Sequence, residues 1–383
     1  MISIYRIAHL SLWFVLLVEK TDAWLSSTIS RPRALTWPLS MASDDATKII
    51  TCSSTKELAQ AVDEYIMPHH VVAELGSQLR DVSTRICHRC QRATLVDVHR
   101  KFPKAEQDPR RTAAMRLEDT GDFFPEVAEF VEIAQLSDWN QAFFGETQQR
   151  YDILVLDVNA IVGNDLEWTA LNLIDEFQAW NGGGAVTVLV KSVGLNQWAC
   201  RLVHAQRWRG MEDYTAIPPP HIIGTRGVHE YRSTIPYTVR PTDAVLEVGC
   251  HFGTTTTLLQ DHGQYCIGVD VGSKIIKEAD KRHSGICFRV GDAWKTAALL
   301  RLQQEYYQES QTSGRIGFDV VYVDVGGLSG SDGLLEAIHL ISSIRYALEP
   351  RCIVIKSLCI QRLSSRLVPF YNTQKRKQKE ATR

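Results

Sequence analysis

Four acidic residues and one lysine stand where chemistry could happen, each at or near the end of a short apolar run. Glu247 lies in VLEVGCHFG (245–253), Asp270 follows Val269, Asp292 follows Gly291, Asp324 closes VYVD (321–324) and Lys356 closes CIVIK (352–356). Gly249 and Gly253 let backbone come close to a ligand, and a helix beginning at Thr254 would offer its free N–H groups there. An acid about 20 residues beyond such a glycine loop accepts hydrogen bonds from two ribose hydroxyls, so the pair points to an adenosine-type ligand. If Asp324 and Lys356 end adjacent strands, about 4.8 Å apart, their side chains can meet over one reacting group. A lysine among other charges can serve as a base. Arginine stays protonated and cannot.

These residues belong to a pattern that occurs twice. VAELGSQLRDVST (72–84) aligns with VLEVGCHFGTTTT (245–257) at an offset of 173, placing Glu74 on Glu247 and Gly76 on Gly249. Asp97 falls on Asp270 and Lys101 on Lys274 in the same frame. YDILVLDV (151–158) matches FDVVYVDV (318–325), with Asp157 on Asp324, Gly163 on Gly330 and Asp165 on Asp332. VTVLVKS (186–192) matches CIVIKS (352–357), with Lys191 on Lys356, and Arg201-Leu-Val matches Arg366-Leu-Val. Offsets that drift only with loop length mark a tandem duplication, and a unit this long is a domain in itself. The expected boundaries are 46–215 and 216–383, joined near Pro218–Pro220.

In the second copy the β-branched runs 244–248, 265–269, 318–323 and 352–355 predict strands, and 254–261, 273–282, 293–309 and 333–348 predict helices. Strands apolar on both faces and separated by crossover helices require a parallel sheet covered on two sides. The expected fold class is α/β: two tandem Rossmann-like domains, each binding its ligands at the C-terminal ends of its strands.

With those motifs in order, residues 240–357 resemble the class I S-adenosylmethionine-dependent methyltransferases. The resemblance implies S-adenosylmethionine as cofactor, held by Glu247, Gly249, Gly253, Asp270 and Asp292, the last near the adenine amino group, with Asp324 on the substrate side. His251 departs from it, standing where many members carry a glycine. A narrower likeness, to FtsJ-like ribose 2′-O-methyltransferases, rests on Asp324 and Lys356, which in that group organise and deprotonate the acceptor hydroxyl, so both are the candidate catalytic residues and RNA a candidate acceptor. That group also carries a Lys before the first motif, where this chain has Arg226, Arg232 and Arg240, and a late Glu that it lacks; the short tail suggests that two terminal strands are missing too. Amino-group methylases of bases end their fourth strand in an Asn/Asp-Pro-Pro-aromatic motif, and Asp324-Val-Gly-Gly327 does not fit. A small-molecule O-methyltransferase and a non-catalytic scaffold of two degenerate domains are the alternatives. In the first copy Gln78 and Arg80 replace His251 and Gly253, so that copy is expected to have lost its cofactor loop and to brace the second.

The rest of the sequence narrows the setting. With 44% hydrophobic and 22% charged residues and a net charge of −2, the chain is neither disordered nor uniformly basic, though the tail Lys375–Lys379 is locally basic. Nine cysteines in 383 residues do not make a disulfide scaffold. Cys87-His-Arg-Cys90 is a lone CxxC, so no metal site is expected, and the tryptophans of the first copy (139, 168, 180, 198, 208) read as core or interface. The apolar run Leu10–Val18 spans about 13 Å as a helix, too short for a membrane, and fits a signal peptide over 1–23. The acid-free, Ser/Thr- and Arg-containing stretch 24–45 resembles a transit peptide. Together they resemble bipartite plastid leaders, with the secretory pathway as the alternative; removal before residue 45 would leave no stable membrane insertion.

Overall fold

The computed structural model describes residues 47–77, 81–98, 127–145, 149–162, 167–184, 186–210, 217, 219–309, 317–326, 328 and 333–371. The leader, Gln78, Arg80, Lys101, Gly163, Asp165, Gly330, Asp332 and the basic tail lie outside them. Fourteen strands run in chain order: β1 (Lys48–Cys52), β2 (Val71–Leu75), β3 (Arg92–Val98), β4 (Ala128–Ile133), β5 (Ile153–Asp157), β6 (Thr187–Lys191), β7 (Leu202–His204), β8 (His221–Thr225), β9 (Ala244–Val248), β10 (Tyr265–Asp270), β11 (Cys287–Val290), β12 (Val320–Val323), β13 (Cys352–Lys356) and β14 (Leu367–Pro369). They form two seven-stranded sheets, ordered β14-β1-β6-β5-β2-β3-β4 and β7-β8-β13-β12-β9-β10-β11. All pairings are parallel.

Both sheets are covered on two faces, as the doubly apolar strands require. In β12 all four residues are buried, and in β5 only the final Asp157 is partly exposed. Ile153 and Val155 pack with the helices Thr55–Tyr65 and Asp81–Arg89. Their alternating neighbours Leu154 and Leu156 are equally buried on the opposite face. Each sheet is an α/β, Rossmann-like layer, and four of the strand expectations agree with it to within two residues.

The sheets exchange their outermost strands. β7, from the N-terminal half, pairs with β8, and β14, from the C-terminal half, pairs with β1. The exchange reaches the cores: Phe370 is buried among Ile50, Leu58, Val62 and Leu189, whereas Trp208 is buried among Ile223, Tyr231 and Val354. Beyond β13 in the second sheet stand β8 and β7, which precede it in the chain, whereas β14, which follows it, lies in the first sheet. A buried polar seam joins the halves, where Glu167 accepts hydrogen bonds from Trp198 Nε1 at 3.2 Å and from Ser342 Oγ at 2.8 Å. Trp168 stacks near His339, with ring centroids 4.7 Å apart. Trp139, Trp198 and Trp208 are buried, while Trp180 is exposed.

Cys87 and Cys90 do not sit in a loop. Cys87 is inside the helix Asp81–Arg89, Cys90 follows it directly, and both are buried in the apolar core. Burial pushes the Cys87 thiol up to about 12 and Cys90 up to about 11. Such thiols stay protonated and pack as small hydrophobes.

Candidate functional site

The second sheet reverses direction between β9 and β12: the chain steps from β9 out to β10 and β11, then returns to β12 and β13 on the other side. A crevice opens at the carboxyl ends of strands at such a point. Here a cavity of about 360 Å³ lies there, lined by residues that include Arg232, Glu247, Gly249, His251, Asp270, Asp324 and Lys356. That volume is inside the range of about 300–1,000 Å³ usual for small-molecule sites.

Local chemistry fixes each group. Gly249 has φ +80°, and a Cβ there would lie 2.1 Å from the Asp324 backbone oxygen, so the loop passes directly over the next strand end. Gly76 has φ +86° and the same relation to Asp157, 2.8 Å from its backbone oxygen. Gly253 serves differently. Its φ is +82°, a Cβ there would meet the Phe288 ring at 2.4 Å, and it is not among the residues lining the cavity, so backbone conformation and packing both require glycine. His251 adopts φ +48°, a left-handed conformation that His tolerates better than most residues.

The Asp270 carboxylate is held by two backbone amides: His251 N–H donates to Oδ2 at 3.2 Å and Gly272 N–H donates to Oδ1 at 2.9 Å. Each oxygen keeps a second lone pair for a further donor. Asp324 and Lys356 form an ion pair, with side chains 22% and 24% exposed, enough to meet a ligand. Ser357 explains the placement of Lys356. Its hydroxyl caps the helix Leu358–Arg366, turning the chain immediately beyond the strand, and Ser192 caps the helix after Lys191 in the same way.

Glu247 lies deepest, 2% exposed, and accepts a hydrogen bond from the Thr256 hydroxyl. Burial pushes its carboxyl up to about 8, Asp324 adds to the rise, and the Thr256 bond and the Arg232 charge oppose it. Asp292 is not brought into the cavity. It follows β11, accepts from Trp294 N–H at 3.1 Å and faces Lys295 Nζ at 3.7 Å. Arg232, Cys250, Phe252, Thr254 and Thr255 line the cavity although the motifs do not assign them to it. In the sequence Arg232 stands out only as an arginine in a lysine's place.

The first sheet carries a partial counterpart. Asp157 and Lys191 pair at 2.8 Å. Glu74 is 4% exposed, and among the described residues its Oε2 has no hydrogen-bond partner. Burial pushes Glu74 up to about 7, although Ser83 and Ser77 pull it down.

The chain matches no protein-family model and no curated protein. Several solved structures are similar to parts of it. One is an S-adenosylmethionine-dependent methyltransferase from Anabaena variabilis, 20% identical, with 34% of this chain and 50% of that one covered and a TM-score of 0.26. Another, from Mesorhizobium loti, is 20% identical over 31% of this chain and 46% of its own, with a TM-score of 0.22. A third is an amino pentose methyltransferase from Micromonospora echinaspora, solved with S-adenosylmethionine bound; it is 15% identical over 38% of this chain and 50% of its own, with a TM-score of 0.22. The chain spans about half the length of these structures. The fold assignment rests on the strand order and register described above.

Among the described residues no helix is long and apolar enough to cross a membrane, and no group of three or more His, Cys, Asp or Glu could hold a metal ion.

Proposed function

We propose that this protein is an S-adenosylmethionine-dependent methyltransferase whose working site is the cavity of the second sheet, with a hydroxyl, such as an RNA ribose hydroxyl, as acceptor. The observation that carries the reading is the gathering of Glu247, Asp270, Asp324 and Lys356 around one cavity at the sheet reversal. The donor set fits the cofactor. Asp270, fixed by two amides with a lone pair left on each oxygen, suits a pair of ribose hydroxyls, and exposed Val271, next in the chain, and Val290, its partner in the sheet, offer apolar surface for a base. When bound, S-adenosylmethionine supplies a sulfonium-activated methyl that a nucleophile displaces directly. The protein must align that nucleophile and receive its proton, which needs no covalent intermediate. In this reading Asp324 and Lys356 orient an acceptor hydroxyl, and Lys356, once its ammonium has released a proton to solvent, takes up the proton of the hydroxyl. Glu247, largely protonated near neutral pH, acts as a deep hydrogen-bonding group rather than a charge.

The duplicated first half is read as a brace that binds no cofactor, since the sequence puts Gln78 and Arg80 in its glycine loop. Titration calorimetry of the full chain with S-adenosylmethionine tests both points. One site per chain supports the reading, two sites restore the first half as an active twin, and none leaves the scaffold alternative.

A further inference from the structure

The cavity holds one cation that the proposed reaction does not use. Lys356 is neutralised by Asp324, and Asp270 is held by backbone amides. Arg232 donates from Nε to Thr255 Oγ1 at 3.0 Å, and among the described residues no carboxylate pairs with it. With Nε engaged, a guanidinium keeps four N–H donors on its two terminal nitrogens, arranged for bidentate contact with an oxyanion. Its position favours the acceptor side. The helix Val228–Ser233 packs on β8 and β13, the strand that ends in Lys356, whereas Asp270 ends β10 on the far side of β9 and β12.

The geometry points to Arg232 as an anchor for a phosphate group on the methyl acceptor, which rests on the methyltransferase reading above. Arg232 cannot replace a lysine as a base, because guanidinium does not release its proton in this pH range. What it adds is a fixed positive fork one helix away from the Asp324–Lys356 pair. An acceptor whose hydroxyl neighbours a phosphate would meet both groups at once, the phosphate on Arg232 and the hydroxyl over the pair. Thr254 and Thr255, on the same wall, supply hydroxyl donors for the remaining oxygens. A neutral acceptor would leave this donor set without a partner, and a planar carboxylate could engage the guanidinium but has no third oxygen for the threonine hydroxyls.

The test uses the full chain and two ligands measured separately, inorganic phosphate and S-adenosylmethionine, with acetate as the competing oxyanion. Wild type should bind phosphate at one site per chain, and acetate should displace it poorly. Arg232→Gln should weaken phosphate by about 10- to 100-fold, the loss expected for a charge-assisted hydrogen-bonded contact, while S-adenosylmethionine affinity stays unchanged. Arg232→Lys should fall between the two, because it keeps the charge and loses the fork. Equal phosphate binding by wild type and Arg232→Gln, or no phosphate binding by wild type, overturns the anchor. A parallel loss of S-adenosylmethionine affinity overturns it too, by assigning Arg232 to the cofactor. If wild type binds phosphate through Arg232 but no S-adenosylmethionine, the anion site stands and the methyltransferase reading fails.

Discussion

Replacing Phe370, which lies beyond Lys356 and the whole cavity wall in sequence, should destabilise the first sheet rather than the one that bears the cavity. Phe370 is 1% exposed and packs in the core of the first sheet, although it follows β14 at the end of the C-terminal half. Phe370→Ala removes the ring from a site closed by Ile50, Leu58 and Val62, which leaves little room to collapse, so the cost should be about 3–5 kcal/mol. Against a domain stability of about 5–15 kcal/mol that is a large fraction. At roughly 2–4 °C per kcal/mol, the melting transition should drop by about 6–20 °C. Hydrogen exchange followed by mass spectrometry locates the damage. Peptides covering β1 and β6 should lose about two to three and a half decades of protection, because each 1.4 kcal/mol is tenfold, while β9 and β12 should lose far less. If protection falls instead around residues 244–323 and holds at 48–52, Phe370 packs at home and the strand exchange is wrong.

Asp270→Ala should weaken S-adenosylmethionine by roughly 10- to 200-fold in calorimetry, since a carboxylate bonded to hydroxyls contributes about 1.5–3 kcal/mol; wild-type affinity would remove Asp270 from the ligand. Lys356→Arg preserves the charge facing Asp324 but not the capacity to accept a proton, so turnover should fall by about 10²–10⁴ with cofactor affinity nearly constant; wild-type turnover would reduce Lys356 to a positive charge. Glu247 gives a pH signature. Its carboxyl is raised from about 4.5 unfolded to about 8 folded, so its contribution to stability is complete below pH 4.5 and is lost as pH rises through 8. Thermal melts of Glu247→Gln should therefore lose less stability between pH 5 and 9 than wild type does, and parallel curves would show that Glu247 is charged in the fold.

Much of the site could be read from single residues. Glu247, Asp270, Asp324 and Lys356 each end or adjoin a strand whose β-branched run is visible in the sequence, and a parallel sheet delivers such positions to one edge without further information. Asp292 and Gly253 show where that reasoning stops. Both obey the motif spacing, yet neither is among the cavity's lining residues: Gly253, at φ +82°, packs under the Phe288 ring, and Asp292 meets Trp294 N–H and Lys295. Arg232 is the converse case. It lies 15 residues before Glu247 on a short helix, and only the packing of that helix on β13 brings its guanidinium to the cavity.

The strand exchange was out of reach for a related physical reason. Leu202-Val203-His204 and Leu367-Val368-Pro369 are almost the same sequence and come after equivalent capped helices, and the leucine of each is buried. Local propensity and pattern therefore fit either strand equally well beside β1 or β8. The choice is made by an aromatic residue just past each strand: Trp208 reaches the core under β8, and Phe370 reaches the core under β1. Each sheet thus depends on a large side chain supplied from the other half of the chain. Without β7 and the helix that follows it, the sheet bearing Lys356 would expose the edge of β8 and lose Trp208 from its core.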